Sequence, residues 1–170
     1  MSVVAPPEEI EVAAVRGRDE PLTAFVRRLA RCKAEAVVAS GASGLILACD
    51  TLAEVDGTPL GKPADRADAR RMLMALSGRE HRVVSGVCLW RHPGPEPVLA
   101  DAESTLAMDP LSDDFLDWYL DSGLWQGKAG ACGFQDERLP LRLVSGSPSN
   151  VVGLPLELVR EMLADLDRTA

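Results

Sequence analysis

The chain has 170 residues, of which 46% are hydrophobic and 26% charged, and its formal net charge is −8. This balance is typical of a globular protein with a sizeable core and excludes a disordered chain. The acidic charge argues against general nucleic-acid binding, although a local group of lysines would still suit a nucleotide. The sequence shows neither an apolar run of membrane-spanning length nor a signal-peptide pattern. We therefore expect a cytoplasmic protein that forms one domain over residues 1–170.

The cysteines do not indicate a metal site. None of the four belongs to a Cys-x-x-Cys pair, and only two histidines are present, so a structural zinc site is not expected. We interpret the cysteines as small buried hydrophobic residues. They are Cys32, Cys49, Cys88 and Cys132.

The first helix is predicted over residues 20–39, with Asp19 as its cap and Pro21 in its first turn. Apolar residues recur at helical spacing through this segment, and Lys33 falls inside the apolar stripe. Two interpretations of this lysine stay open. Either its apolar stem packs while the ammonium reaches water, or the ammonium points into a cleft.

A strand is predicted next, over residues 45–51, with Asp50 at its end. Its apolar run is typical of a strand covered on both faces. A carboxylate is tolerated in such a strand only if it is paired, binds a metal or takes part in chemistry. Asp56 and Gly57 then favour a tight hairpin, which would return the chain so that Lys62 lies near Asp50. An acid and a base brought to one point indicate a site for a polyanion and its metal.

Alternating helices and strands continue along the chain. The predicted elements are a helix over 65–77, strands over 82–90 and 98–108, a helix over 112–123, a strand over 139–144 and a C-terminal helix. Residues 125–136 and the loop over 145–150 carry glycines that let the backbone approach a ligand. Such loops are common in turns, so neither identifies a function by itself.

Five motifs then occur in order along the chain. They are Ala48-Cys49-Asp50-Thr51, Leu60-Gly61-Lys62-Pro63, Ser77-Gly78-Arg79-Glu80-His81, the segment from Gly127-Lys128 to Gln135, and Asn150-Val151-Val152-Gly153-Leu154-Pro155. Together they resemble the Maf family of nucleoside triphosphate pyrophosphatases. The resemblance implies an α/β fold with an elongated mixed β-sheet, flanking helices and a cleft between two lobes. It also implies cleavage of a nucleoside triphosphate between the α and β phosphates with a divalent cation, Mg²⁺ or Mn²⁺.

The resemblance also implies roles for individual residues. Asp50 matches the family's proton acceptor and could help to hold the metal. Lys33 and Lys62 match lysines that contact the phosphates, while Thr51 and Gln135 match positions that tune the choice of base. The combination of Thr51 with Gln135 resembles the branch that prefers dTTP and UTP, and modified pyrimidine nucleotides are an extension of that class. The expected partners are the nucleotide and a second copy of the chain, with no nucleic acid and no membrane.

One segment of the family pattern is not found in this chain. The family opens with a strand and a loop similar to Ala-Ser-x-Ser-Pro-Arg-Arg, whereas Met1 falls near the family's second strand. A family glutamate is expected shortly afterwards, and Glu8, Glu9 and Glu11 are all candidates. Three explanations stay open: the natural chain starts earlier, the chain is impaired, or a partner covers the gap. We favour the first, because the other site motifs are intact.

A second class of function therefore stays open beside the enzyme. In this alternative the chain is a catalytically impaired nucleotide-binding or division-linked interaction protein. It would bind nucleotide without turnover and would expose an apolar patch that a partner covers. A phosphatase that forms an aspartyl-phosphate on Asp50 is disfavoured, since such enzymes need a second aspartate where this chain has Leu52.

Overall fold

The computed structural model describes residues 16, 17 and 19–168. Helices and strands alternate along this part of the chain, which confirms the predicted α/β class. The helices are α1 (Leu22–Ala39), α2 (Arg66–Leu76), α3 (Asp113–Asp121), α4 (Pro148–Val152) and α5 (Leu156–Arg168), with a 3₁₀ turn at Ala129–Ala131. The strands are β1 (Gly44–Val55), β2 (Thr58–Leu60), β3 (Glu80–His92), β4 (Val98–Met108) and β5 (Leu141–Ser145). None of the helices in these residues is long and apolar enough to span a membrane.

The strands form a sheet in the order β2-β1-β3-β4-β5. β1 pairs with β2, and β4 with β5, in the antiparallel sense. The chain divides into two compact units. The first comprises the described part of Met1–Asp50, Ser85–Ala102 and Leu156–Ala170; the second comprises Thr51–Val84 and Glu103–Pro155. A single domain over residues 1–170 stays a prediction.

The first unit depends on close packing of α1 against β3. A Cβ atom on Gly86 of β3 would lie 2.2 Å from the carbonyl oxygen of Val26 in α1, so only glycine permits this approach. Ala30 and Ala34 of α1 are fully buried in a small cluster with Ile46. Small residues on the helix thus let its backbone lie close to the sheet.

The start of α1 differs from the prediction. The helix begins at Leu22, and Pro21 occupies the capping position without a side-chain hydrogen bond. The expectation of a cap at Asp19 is therefore wrong. Proline accounts for the difference, because its fixed φ and missing N–H suit the position at which a helix begins.

β1 is longer than predicted, and its first half is covered less. The strand runs over Gly44–Val55, so Asp50 lies inside it rather than at its end. Leu45 and Leu47 are 49% and 42% exposed, so the expected burial on both faces is wrong for this half. An apolar run records the hydrophobicity of side chains and not what covers them, which explains the error.

The second unit contains the larger hydrophobic core, to which α2, α3 and the neighbouring strand segments contribute. Leu73, Leu76 and Leu116 are fully buried there, and each contributes about 1.5–3 kcal/mol relative to an exposed side chain. Trp125 is buried in the same core, and its Nε1–H donates to the carbonyl of Leu120 at 2.9 Å. The core therefore gives the loops of this unit a rigid base.

The helices predicted over 65–77 and 112–123 are confirmed, and one helix was not expected. Asp65 caps α2 and Ser112 caps α3 through side-chain oxygens that accept backbone N–H groups. Residues 145–150 are predicted as a loop, but α4 begins at Pro148, with Ser147 as its cap. A serine followed by proline is a helix-start signal, so Ser147 and Pro148 could have predicted this helix.

Candidate active site

The central contact of the candidate site joins α1 to β1 within the first unit. Lys33 Nζ forms an ion pair with Asp50 Oδ1, and both side chains are largely buried. Lys33 is placed there because it follows Ala30 and precedes Ala34, the residues that bring α1 against the sheet. Of the two interpretations of Lys33, the structure therefore supports the inward one. The pair also explains how β1 tolerates a carboxylate that is only 8% exposed.

The hairpin that follows Asp50 forms as predicted. Asp56 and Gly57 both have positive φ, 50° and 77°, and Val55 pairs with Thr58 across the turn. This geometry is the tight turn that an Asp-Gly pair favours. β2 then ends at Leu60, and the chain continues into the exposed Lys62.

The glycine-rich segment is attached to the loop that carries Lys62. The N–H of Gly130 donates to the carbonyl of Gly61 at 2.9 Å, and Gly130 itself has φ 67°. Within the second unit this hydrogen bond connects the backbone beside Lys62 to the segment that leads to Gln135. The structure thus links two motifs that lie about 70 residues apart in sequence.

The same segment positions Lys128 and Gln135 on its surface. The side chain of Lys128 lies over Gly133, where an added Cβ would come within 2.9 Å of Nζ. No carboxylate of the described residues is recorded in an ion pair with this ammonium. The turn continues with a hydrogen bond from the N–H of Asp136 to the carbonyl of Gly133 at 3.0 Å, which leaves Gln135 exposed.

Thr51 is connected to the end of α4, a contact that the sequence does not predict. Its hydroxyl donates to the carbonyl of Gly153 at 3.4 Å. Gly153 ends α4 with φ 111°, a conformation that favours glycine. Asn150, which the sequence predicts in a loop, belongs to the same helix and is 1% exposed.

The second unit also contains a group of charged residues that the sequence analysis did not predict. Glu54 is buried in β1 and pairs with Arg82, which also reaches Glu103 at 3.1 Å. The hydrogen bond that Arg82 donates to Glu54 raises the pKa of Arg82, which keeps its guanidinium charged. Glu54 and Arg82 line a cavity of about 400 Å³ together with Asp56 and His81. Because Arg82 on β3 bridges the carboxylates of Glu54 on β1 and Glu103 on β4, we interpret the group as stabilising the sheet.

Metal binding rests on the oxygen donors that the chain offers. In the part of the chain that the structure describes, no group of three or more His, Cys, Asp or Glu side chains could hold a metal ion by itself. Mg²⁺ needs only one or two carboxylates when phosphate oxygens and water complete its shell. Asp50 offers a hard oxygen donor of that kind.

The predicted site residues fall into two groups. Asp50 and Lys33 belong to the first unit and contact each other. Thr51, Lys62 and Gln135 belong to the second unit. The candidates Glu8, Glu9 and Glu11 lie outside the described residues.

Comparison with known proteins identifies the class to which the chain belongs. The family described as Maf-like protein matches residues 2–166. The chain therefore belongs to the Maf family, as its five motifs predict.

Several relatives bear the same name. The chain is 46% identical over 147 residues to a dTTP/UTP pyrophosphatase of Rhodopirellula baltica, an alignment that covers 86% of this chain and 65% of the relative. It is 44% identical over 162 residues to a dTTP/UTP pyrophosphatase of Symbiobacterium thermophilum, with coverage of 95% and 81%. A dTTP/UTP pyrophosphatase of Pyrococcus furiosus is 31% identical over 163 residues, with coverage of 95% and 83%. The chain thus spans less than two thirds of the Rhodopirellula protein and about four fifths of the other two.

Proposed function

We propose that the chain hydrolyses dTTP and UTP to the nucleoside monophosphate and pyrophosphate. Membership of the Maf family and the names of the relatives support this activity. The structural observation that carries it is the buried ion pair between Lys33 and Asp50. A buried acid beside a lysine combines a proton acceptor with a phosphate-binding cation, the two functions that hydrolysis of a triphosphate requires.

In the proposed reaction a water molecule attacks the α-phosphorus. A new bond forms between the water oxygen and that phosphorus, and the bond to the bridging oxygen of the β-phosphate breaks. Asp50 accepts the proton of the water, and pyrophosphate leaves with the electron pair. Lys33 and Lys62 neutralise charge on the phosphates as it develops.

Base selection is proposed for Thr51 and Gln135. The amide of Gln135 can donate and accept hydrogen bonds at once, which suits the edge of a pyrimidine ring. Thr51 adds a hydroxyl whose geometry depends on Gly153. Modified pyrimidine nucleotides that keep this hydrogen-bonding edge belong to the same substrate class.

A divalent cation, Mg²⁺ or Mn²⁺, is proposed as the cofactor, and Asp50 is the residue that would hold it. When bound with the substrate, such a cation supplies positive charge to the phosphate oxygens. A cytoplasmic location and a homodimer are proposed as well, on the resemblance to the family.

Pyrophosphate release tests the activity directly. The chain is incubated with Mg²⁺ or Mn²⁺ and a panel of nucleoside triphosphates, and Asp50→Asn serves as the matched variant. We expect release from dTTP and UTP, and a loss of about 10²-fold or more in Asp50→Asn, because general base catalysis contributes that much. Circular dichroism shows whether the variant is folded. Full activity in a folded Asp50→Asn protein would reject the proposed role of Asp50.

The second candidate function is a nucleotide-binding or interaction protein without turnover. The exposed apolar side chains of Leu45 and Leu47 on β1 favour it, since contiguous apolar surface often marks an interaction site. It predicts binding of UTP by calorimetry without pyrophosphate release. Pyrophosphate release that depends on Asp50 would reject this second candidate and support the enzyme.

A further inference from the structure

A chain of buried hydrogen bonds in the second unit ends at the hydroxyl of Thr51. It begins at Asn150, whose Nδ2 donates to the carbonyl of Val83 at 3.1 Å and to Ser104 Oγ at 2.8 Å. Asn150 and Ser104 are each 1% exposed. Polar groups buried to this degree are costly unless they are hydrogen-bonded, so the contacts fix α4 to β3 and β4.

Ser104 makes the attachment of α4 rigid. Its hydroxyl accepts the N–H of Ser147 at 3.0 Å and donates to the carbonyl of Ser147 at 3.2 Å. Ser147 in turn caps α4 by accepting the N–H of Ser149 and of Asn150. Gly146 permits the close approach, because a Cβ there would lie 2.4 Å from Ser104 Oγ. The Ser104 hydroxyl thus bonds to both the N–H and the carbonyl of Ser147.

The C-terminal end of α4 connects these hydrogen bonds to Thr51. The N–H of Gly153 donates to the carbonyl of Asn150 at 3.0 Å, which closes the helix. The carbonyl of Gly153 then accepts the hydroxyl of Thr51 at 3.4 Å. Because the N–H of Gly153 bonds to Asn150, the buried contacts of Asn150 and Ser104 contribute to the position of the Gly153 carbonyl.

This contact determines what Thr51 can offer to a ligand. A hydroxyl has one proton, and Thr51 donates that proton to Gly153. While this hydrogen bond is in place, the oxygen acts as an acceptor toward a ligand. Uracil and thymine carry an N3–H donor in the plane of the ring, whereas cytosine carries an N3 acceptor. An acceptor oxygen favours the first two bases over the third.

We propose that Asn150 and Ser104 are positioning residues that set pyrimidine selectivity through Gly153 and the Thr51 hydroxyl. The inference rests on the proposed function, in which Thr51 contributes to base selection. It extends that function, because selectivity is assigned to residues in the unit's interior that do not contact the nucleotide.

The test measures selectivity rather than activity alone. The ratio of kcat/KM for UTP to that for CTP is determined for the wild type, Ser104→Ala, Ser104→Thr and Ser77→Ala. We expect Ser104→Ala to lower the ratio about fivefold, the equivalent of one neutral hydrogen bond. Ser104→Thr keeps the hydroxyl and should restore the ratio. Ser77→Ala is the matched control, since the Ser77 hydroxyl also accepts a backbone N–H, that of Leu111 at 2.8 Å, without a link to Thr51.

A double variant separates positioning from stability. If Ser104 acts through Thr51, Thr51→Val combined with Ser104→Ala should show no lower ratio than Thr51→Val alone. A folded Ser104→Ala protein with a lowered Tm and an unchanged ratio would overturn the inference and leave Ser104 a purely structural role. Asn150→Ser is the substitute if Ser104→Ala does not fold, and the same outcomes apply.

A failure of the proposed hydrolysis can be distinguished from a failure of the selectivity inference. If the wild type releases no pyrophosphate, the ratio of Kd values for UTP and CTP is measured by calorimetry on the same variants. A fivefold change in that ratio would support the inference although the proposed hydrolysis has failed. Equal affinity of the wild type for UTP and CTP would overturn the inference in either case.

Discussion

At the residue scale, the proposed chemistry depends on the contact between Lys33 and Asp50. The sequence identifies both residues, one by its place in an apolar stripe and the other by its place in an apolar strand. It does not show that they form a pair, because α1 and β1 are joined by a turn whose geometry decides which residues meet. The structure therefore adds a function for Lys33: its ammonium pairs with the buried carboxylate of Asp50.

The first prediction follows from that added function. In Lys33→Met the buried carboxylate loses its cation, and its neutral form is favoured. If the reaction needs ionised Asp50, the acidic limb of the pH profile of kcat/KM should move to higher pH. The measurement is pyrophosphate release from UTP between pH 5 and 9.

Lys33→Arg is the matched control, since it keeps a positive charge at the end of a long side chain. Its acidic limb should remain near that of the wild type. A lysine that contacts only phosphate would behave differently, because its loss would raise KM and leave the limb in place. That result in Lys33→Met would reject the pairing as a part of catalysis.

At the element scale, local signals predict the structure well where a few adjacent residues fix the geometry. Asp56 and Gly57 specify their turn, and Asp65 and Ser112 specify their helix starts. Contacts between segments that are distant in sequence are not predicted by such local signals. The hydrogen bond from Gly130 to Gly61 has no local signature, so the sequence could name both motifs without joining them.

A prediction about the glycine-rich segment follows from the position of Lys128 over Gly133. An added methyl group at residue 133 would lie 2.9–3.0 Å from the end of the lysine side chain, which must then move. If the ammonium of Lys128 contacts the triphosphate, Lys128→Met should raise KM for UTP by about tenfold, the size of a charge-assisted hydrogen bond. Gly133→Ala should raise KM in the same direction, because it displaces the ammonium without removing its charge.

The combined variant tests that both changes act on one group. Lys128→Met with Gly133→Ala should raise KM no further than Lys128→Met alone. Lys128→Arg retains the charge and should lie close to the wild type. Additive effects, or a Gly133→Ala protein with unchanged KM, would show that the lysine does not contact the substrate.

At the scale of the whole molecule, burial is the property that the sequence predicts least. Leu45 and Leu47 belong to an apolar run but are exposed, whereas Glu54 is charged but buried. Whether such a side chain is buried depends on residues that lie elsewhere in the sequence, as Arg82 does for Glu54. Periodicity identifies which side chains share a face, and only the packed structure shows which face is covered.

Stability is also a property of the whole molecule, and His81 makes it depend on pH. Burial lowers the pKa of His81, with a smaller opposing effect from a hydrogen bond to the Arg79 backbone. In the unfolded chain histidine titrates near pH 6.5. As pH falls below about 6.5, the unfolded state therefore gains a proton that the folded state does not accept, and the free energy of unfolding decreases by up to about 1.4 kcal/mol per pH unit.

Urea unfolding between pH 7.5 and 5 measures this slope. His81→Gln removes the titrating group, so its free energy of unfolding should change less over this range than that of the wild type, whatever its absolute stability. His92→Gln removes the chain's other histidine and should keep the wild-type slope. Acidic residues such as Asp68, whose pKa is lowered chiefly by a hydrogen bond from the Ala64 backbone, lose their contribution only at lower pH. Equal slopes in His81→Gln and the wild type would show that His81 accepts its proton in the folded state as readily as in the unfolded chain.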